Sequence, residues 1–218
     1  MVQIVLIRPG STDYDIQGRI QGNLDIPLND DGRKQALSAI ECLKGRSLTA
    51  LYSCACQAAQ ETAELIGAAL KLKPKIFERL ENLDHGLWQG MLIDDVKRKQ
   101  PKVYKQWQDH PENVCPPEGE MLAVVAERAD AMLDKLLRKH RFGTIALVAP
   151  EPLASVVRCR ILGGEVGDLW KAANGCSRLE VFEVQPRVRR SQTAGFEIRS
   201  TGEAPSADAE RALATKPK

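Results

Sequence analysis

The chain reads as a three-layer α/β/α sandwich around a mostly parallel central sheet, and three observations point there. Short runs, IVLI at 4–7 and TIALVA at 144–149, are apolar throughout apart from Thr144, the pattern of strands buried on both faces. Longer segments carry apolar residues at helical spacing. The two kinds of segment alternate along the chain, and elements of these lengths in that order give a parallel sheet covered on both sides.

Each element has its own signal. After the first strand, Gly10, Ser11 and Thr12 supply a turn with a polar, anion-friendly backbone. Arg8 stands at the carboxyl end of that strand, where α/β folds place ligand sites. Residues 30–44 open on acidic residues and space Ala36, Leu37, Ile40 and Leu43 along one helical face. TALYS at 49–53 predicts a strand, 57–71 a helix, and 74–80 an extended segment. The polar stretch 84–120 holds two short helical patches and ends in the loop CPPEGE. Residues 121–140 form an amphipathic helix with basic residues in its last turn, where they suit the helix dipole. After the strand at 144–149, a helix is expected over 153–162, and strands at 178–184 and 195–200 close the sheet. Residues 1–202 are expected to form one domain, and 203–218, small and polar, a disordered tail.

Composition excludes several functions. The 218 residues are 43% hydrophobic, enough for one large core. Lys and Arg number 31 against 29 Asp and Glu, so the net charge of +2 carries no nucleic-acid signature. No apolar stretch approaches the roughly 20 residues that span a bilayer. The short N-terminal apolar run lacks a charged leader and a small-residue cleavage site, so a cytoplasmic protein is expected, with neither nucleic acid nor membrane as partner. Six scattered cysteines fit reduced thiols. Cys54 and Cys56 are the one close pair; a lone C-x-C lacks the further ligands of a zinc site and leaves a redox role as the alternative. No metal and no cofactor are expected.

Five ordered blocks carry a more specific signal: LIRPGSTDYDIQGRIQGNLDIPLNDDGRKQA, LYSCACQAAQETAELI, LENLDHGLWQG, PPEGEMLAVVAERA and TIALVAPEPLASVVRCRILGG. In order and spacing, across roughly residues 2–185, they resemble the histidine phosphatase superfamily, which includes the cofactor-dependent phosphoglycerate mutases. The resemblance implies the phosphoglycerate mutase-like fold and a phosphoryl-transfer pocket of five side chains. Its first motif is Arg-His-Gly, with the histidine as nucleophile; here Arg8 and Gly10 flank Pro9. Proline's nitrogen is locked in the peptide bond and offers no lone pair to phosphorus. A second phosphate-binding arginine, four residues before Thr62-Ala63, corresponds to Ala58. The general-acid glutamate ahead of Gly86, Trp88 and Gly90 corresponds to Asn82, which donates no proton at a useful pKa. Glu81 is adjacent, but a one-residue offset on an extended chain points it to the other face. The second histidine corresponds to Pro150, followed by Glu151 where an anion would sit.

Of the five positions only Arg8 keeps the family's residue. The chain therefore reads as a pseudophosphatase that uses the old cleft or its rim to bind an unknown ligand or protein partner, with Arg8, Gly10, Thr12, Asp15, Gln21, Gly22 and Glu151 as binding candidates. The alternative is a phosphomonoester hydrolase with a non-family nucleophile drawn from Ser11, Thr12, Asp84 or His85; a purely structural subunit is the third reading. Plainer roles compete at several of these residues. Arg8 could be an ordinary paired arginine and His85 an aromatic filler. His110 and His140 fit structural roles, the latter as a cation at a helix end. Arg187, Arg189 and Arg190 fit a solvated hairpin loop, and Trp88, Trp107 and Trp170 fit the core or pocket rim.

Overall fold

The computed structural model describes residues 1–77, 80–164, 166 and 179–184. The expected strand at 195–200, the tail, Trp170, Cys176 and the Arg187–Arg189–Arg190 cluster lie outside those residues.

Five strands form one sheet in the order β3-β2-β4-β1-β5. They are β1 (Val2–Ile7), β2 (Leu48–Ser53), β3 (Lys75–Ile76), β4 (Gly143–Val148) and β5 (Leu179–Val184). β1 and β4 run parallel at the centre, in register from Val2 opposite Gly143 to Ile7 opposite Val148. β2 is parallel to β4 and to β3, while β5 runs antiparallel along β1. Ile4, Val5, Leu6 and Ile7 are all buried, so consecutive side chains on opposite faces are both covered. Within the extended segment expected at 74–80, Lys75 and Ile76 pair with Tyr52 and Ser53.

The covering helices follow the expected periods. They are α2 (Asp30–Leu43), α3 (Gln57–Leu70), α6 (Leu122–Lys139) and α7 (Leu153–Leu162), with α2 packed on α3 and α6 on α7. The polar middle segment contributes α4 (Ile93–Lys99) and α5 (Pro101–Asp109), anchored to the core by Val96 and Trp107. The Trp107 and Trp88 rings meet edge to face, with centroids 5.8 Å apart. A five-residue helix, α1 (Asp13–Gln17), escaped the sequence reading because it buries no residue and so has no apolar stripe. Its signal is local: Thr12 caps it and Asp15 caps Thr12 in return. No helix among the described residues is long and apolar enough to cross a membrane.

Two glycines fix how the loop after β1 meets the start of α2. A Cβ on Gly10 would lie 2.1 Å from the Gly32 carbonyl oxygen, and one on Gly32 would lie 2.1 Å from that of Ser11. Asn29 caps α2 by accepting from the Gly32 amide at 2.8 Å, and its own amide donates to Ser11 at 3.1 Å. Backbone thus packs on backbone with no room for a methyl group. Gly32→Ala is expected to cost about 1–3 kcal/mol, read as a lower urea midpoint with an unchanged m-value.

Candidate functional site

The register of β1 and β4 brings residues 8–12 and 150–152 side by side at the carboxyl ends of the central strands. The pairing runs one step past the strands, with the Ala149 amide donating to Ile7 at 3.0 Å. Above these ends lies a cavity of about 690 Å³. Arg8, Pro9, Ala58 and Pro150 line it, as do the binding candidates Gly10, Thr12, Asp15, Gln21, Gly22 and Glu151. Asn82 is buried just behind the wall and bonds to two wall residues, Gly22 and Glu151. Chain segments far apart in sequence therefore converge where α/β folds bind ligands.

The turn after β1 is less open to anions than its composition suggests. The Gly10 amide donates to Thr62 Oγ1 at 3.1 Å. The Ser11 amide and hydroxyl both donate to Gln35 Oε1, at 2.8 and 2.7 Å. The Thr12 amide and hydroxyl both donate to Asp15 Oδ2, at 2.6 and 2.8 Å. Three successive amides are thus committed within the chain, and Pro9 has none to give. Thr12 and Asp15, which the sequence offers as ligand contacts, serve the α1 capping box.

Arg8 faces a carboxylate of the chain itself. Its Nη1 lies 3.8 Å from Glu151 Oε1, with the two side chains 13% and 15% exposed. Glu151 Oε2 accepts from the Ser155 hydroxyl at 2.7 Å and its amide at 3.1 Å, within the first turn of α7. Burial raises the Glu151 pKa above the ordinary glutamate range, while the Ser155 hydroxyl and Arg8 pull the other way. The arginine of the first motif is therefore held among polar groups of the fold.

Asn82 is a structural bracket. Its Nδ2 donates to the carbonyls of Gly22 at 3.0 Å and Glu151 at 2.9 Å, and its Oδ1 accepts from the Leu153 amide at 3.2 Å. One amide side chain ties Gly22 and the 151–153 segment to its own segment, using both donors and the acceptor. A carboxylate at this position would set negative charge against two carbonyl oxygens. Glu81, one residue before, is exposed, in keeping with the opposite face expected for it. The segment is clamped from outside by Arg128, which bonds Glu120 through two nitrogens at 2.6 and 2.7 Å and the Asn82 carbonyl at 3.2 Å. Glu120 also accepts from the Asp84 amide at 2.9 Å.

The histidines divide by surroundings. His85 lines the cavity, 5% exposed, with its ring 5.4 Å from that of Trp107. Burial lowers its pKa to about 4, so it is neutral at physiological pH. His110 lies 3.3 Å from Glu112 on the surface. His140 corrects the expectation of a cation at the end of α6: burial, then Lys139 and Lys75, push its pKa down, and its Nε2 shares a 2.8 Å hydrogen bond with the Tyr52 hydroxyl. Burial first, and then the two lysines, disfavour the cation there. Among the described residues no group of three or more His, Cys, Asp or Glu is placed to hold a metal ion.

The Arg128–Glu120 pair has a pH signature. Burial raises the Glu120 pKa, but the Arg128 hydrogen bonds and the Asp84 amide outweigh it and hold the carboxyl below its usual range. A lowered folded-state pKa adds stability above the unfolded value, and that stability is lost as pH falls through the folded one. Arg128→Met is expected to cost about 2–3 kcal/mol at neutral pH. The gap to the parent protein should narrow in acid, as Glu120 protonates, when urea unfolding is followed at both pH values.

Comparison with known proteins agrees with the fold. The phosphoserine phosphatase 1 of Hydrogenobacter thermophilus is 29% identical over 191 residues, covering 88% of this chain and 90% of that protein. The glucosyl-3-phosphoglycerate phosphatase of Mycolicibacterium vanbaalenii is 31% identical over 200 residues, covering 88% of each. The native structure of the mycobacterial glucosyl-3-phosphoglycerate phosphatase superposes with a TM-score of 0.71 at 27% identity, covering 84% of this chain and 89% of that one. Bacillus stearothermophilus YhfR shares the fold with a TM-score of 0.79 at 22% identity, over 94% of this chain and 98% of that one. The profile of the histidine phosphatase superfamily (branch 1) matches residues 4–195, and with these relatives it shows that the chain belongs to that superfamily.

Proposed function

We propose that this chain is a pseudophosphatase, a member of its superfamily that binds in the ancestral cleft without transferring phosphoryl groups. The observation that carries the reading is the pairing of Arg8 with Glu151 at the mouth of the cavity. Phosphoryl transfer rests on positioning and on neutralising charge around phosphorus. Here a carboxylate occupies the arginine that would do so, Pro9 and Pro150 bring neither lone pair nor donor, and Ala58 brings a methyl group. Removing one such donor typically costs ~10²–10³ in rate. The Asn82 amide, in the place of the acid, is spent on three backbone groups.

Related proteins named as phosphatases favour keeping a hydrolytic alternative with another nucleophile. The geometry gives it little help. The Ser11 and Thr12 hydroxyls donate to Gln35 and Asp15, Asp84 accepts from the Gly86 amide at 2.8 Å, and His85 is buried against Trp107. A neutral or cationic ligand suits a cavity in which Glu151 offsets Arg8.

Purified protein is expected to show no saturable hydrolysis of p-nitrophenyl phosphate and to bind inorganic phosphate no tighter than about millimolar in calorimetry. Glu151→Gln removes the carboxylate that opposes an anion beside Arg8 and should tighten phosphate binding about tenfold, the lower end of what a charge-assisted hydrogen bond contributes. Pro9→His alone should yield no phosphohistidine, because groups that act as a unit gain little when restored singly. Turnover abolished by Arg8→Ala would overturn the proposal in favour of the hydrolase. Asn82→Glu, the reversion of the acid, is expected to lower the thermal midpoint by several degrees.

A further inference from the structure

Two thiols meet away from the cavity lining, where β2 runs into α3. Cys54 directly follows β2, and Cys56 is the N-cap of α3. Residues two apart on an extended chain share a side, and here the side chains turn toward each other, with Sγ atoms 3.4 Å apart. Both are free thiols, Cys54 fully buried and Cys56 7% exposed. A disulfide needs a separation of about 2.0 Å, so the sulfurs have only roughly 1.4 Å to close from 3.4 Å.

The backbone holds them in place. The Cys54 amide donates to Val148 at 3.0 Å and the Ala55 amide to Leu80 at 3.4 Å, while the Gln60 side chain donates to the Ala55 carbonyl. The two sulfurs are also chemically distinct. Cys56 shares a hydrogen bond with the Cys54 thiol and sits at the amino end of a 14-residue helix. That hydrogen bond and the Ala59 amide lower its pKa against the opposition of burial and Asp25. The same contact, together with burial, raises that of Cys54.

We propose that Cys54 and Cys56 form a redox site, oxidised by hydrogen peroxide to an intrachain disulfide with Cys56 as the attacking thiol. The Cys56 thiolate attacks one peroxide oxygen; the O–O bond breaks, and the departing oxygen leaves as water with the thiol proton. Cys56 is now a sulfenic acid. Cys54 sulfur attacks Cys56 sulfur, the S–O bond breaks, and the hydroxyl leaves as a second water with the Cys54 proton as the S–S bond forms. Two thiols are oxidised and one peroxide is reduced. The site is independent of what the cavity binds.

Trypsin releases peptide 47–71, which contains Cys54 and Cys56 and no other cysteine. The reduced full chain is treated with hydrogen peroxide, alkylated with N-ethylmaleimide in denaturant, and mapped by mass spectrometry. Peptide 47–71 should appear two hydrogens lighter and without alkyl groups, at doses that leave the exposed Cys42 and Cys115 alkylated, and dithiothreitol should restore both thiols. In Cys54→Ser, dimedone should capture a sulfenic acid on Cys56; in Cys56→Ser, the peptide should stay unmodified. A doubly alkylated wild-type peptide at doses that already oxidise Cys42 and Cys115 would overturn the proposal, as would pairing with a cysteine of another peptide. The wild-type map decides the question even if a variant folds poorly.

Discussion

The in-register parallel pairing of β1 with β4 is the constraint on which the site depends. Six residue pairs, from Val2–Gly143 to Ile7–Val148, align the two central strands so that they end together. Burial of both faces makes any slip costly, because moving one residue along would reverse every side chain. The ends are therefore fixed, and the turns that follow must share one space. Arg8 and Pro9 come from one strand, Pro150 and Glu151 from the other, and 140-odd residues of sequence separation vanish at the mouth of the cavity.

What the fold does with that space differs from what a phosphate would require. An anion site needs donors that point inward and have nothing else to bond. Along residues 10–12 the amides bond to Thr62, Gln35 and Asp15 instead. Asn82 ties Gly22 to the 151–153 segment, and Arg128 with Glu120 braces its backbone from outside. These bonds make the wall coherent without a ligand. A glutamate at position 82 would remove the two donors that Asn82 gives to the Gly22 and Glu151 carbonyls.

The sheet's other polar features obey local competition in the same way. His140 ends α6, where a cation would suit the dipole, but Lys139 and Lys75 crowd the position and the ring bonds to Tyr52. The same accounting explains Glu151, whose burial raises its pKa although an arginine faces it. Charge–dipole terms of a fraction of a kcal/mol yield to desolvation and to full neighbouring charges.

The sequence by itself determined the strands that are buried on both faces, since runs such as 4–7 and 144–149 admit no other placement, and the long helices, whose apolar stripes are periodic. It also determined that positions 9, 58, 82 and 150 carry proline, alanine, asparagine and proline, side chains with no nucleophile, cation or acid. It did not disclose α1, whose five residues bury nothing. Only the tertiary structure decided that Glu151 faces Arg8, that Asn82 is a bracket, and that the turn amides are spent. Those are contacts between residues dozens of positions apart, with separations of 3–4 Å set by strand register and loop packing, and composition and periodicity carry no information on such distances. The Cys54–Cys56 contact lies between the two cases: adjacency along the chain allowed it, and the side-chain directions at the β2–α3 junction made it.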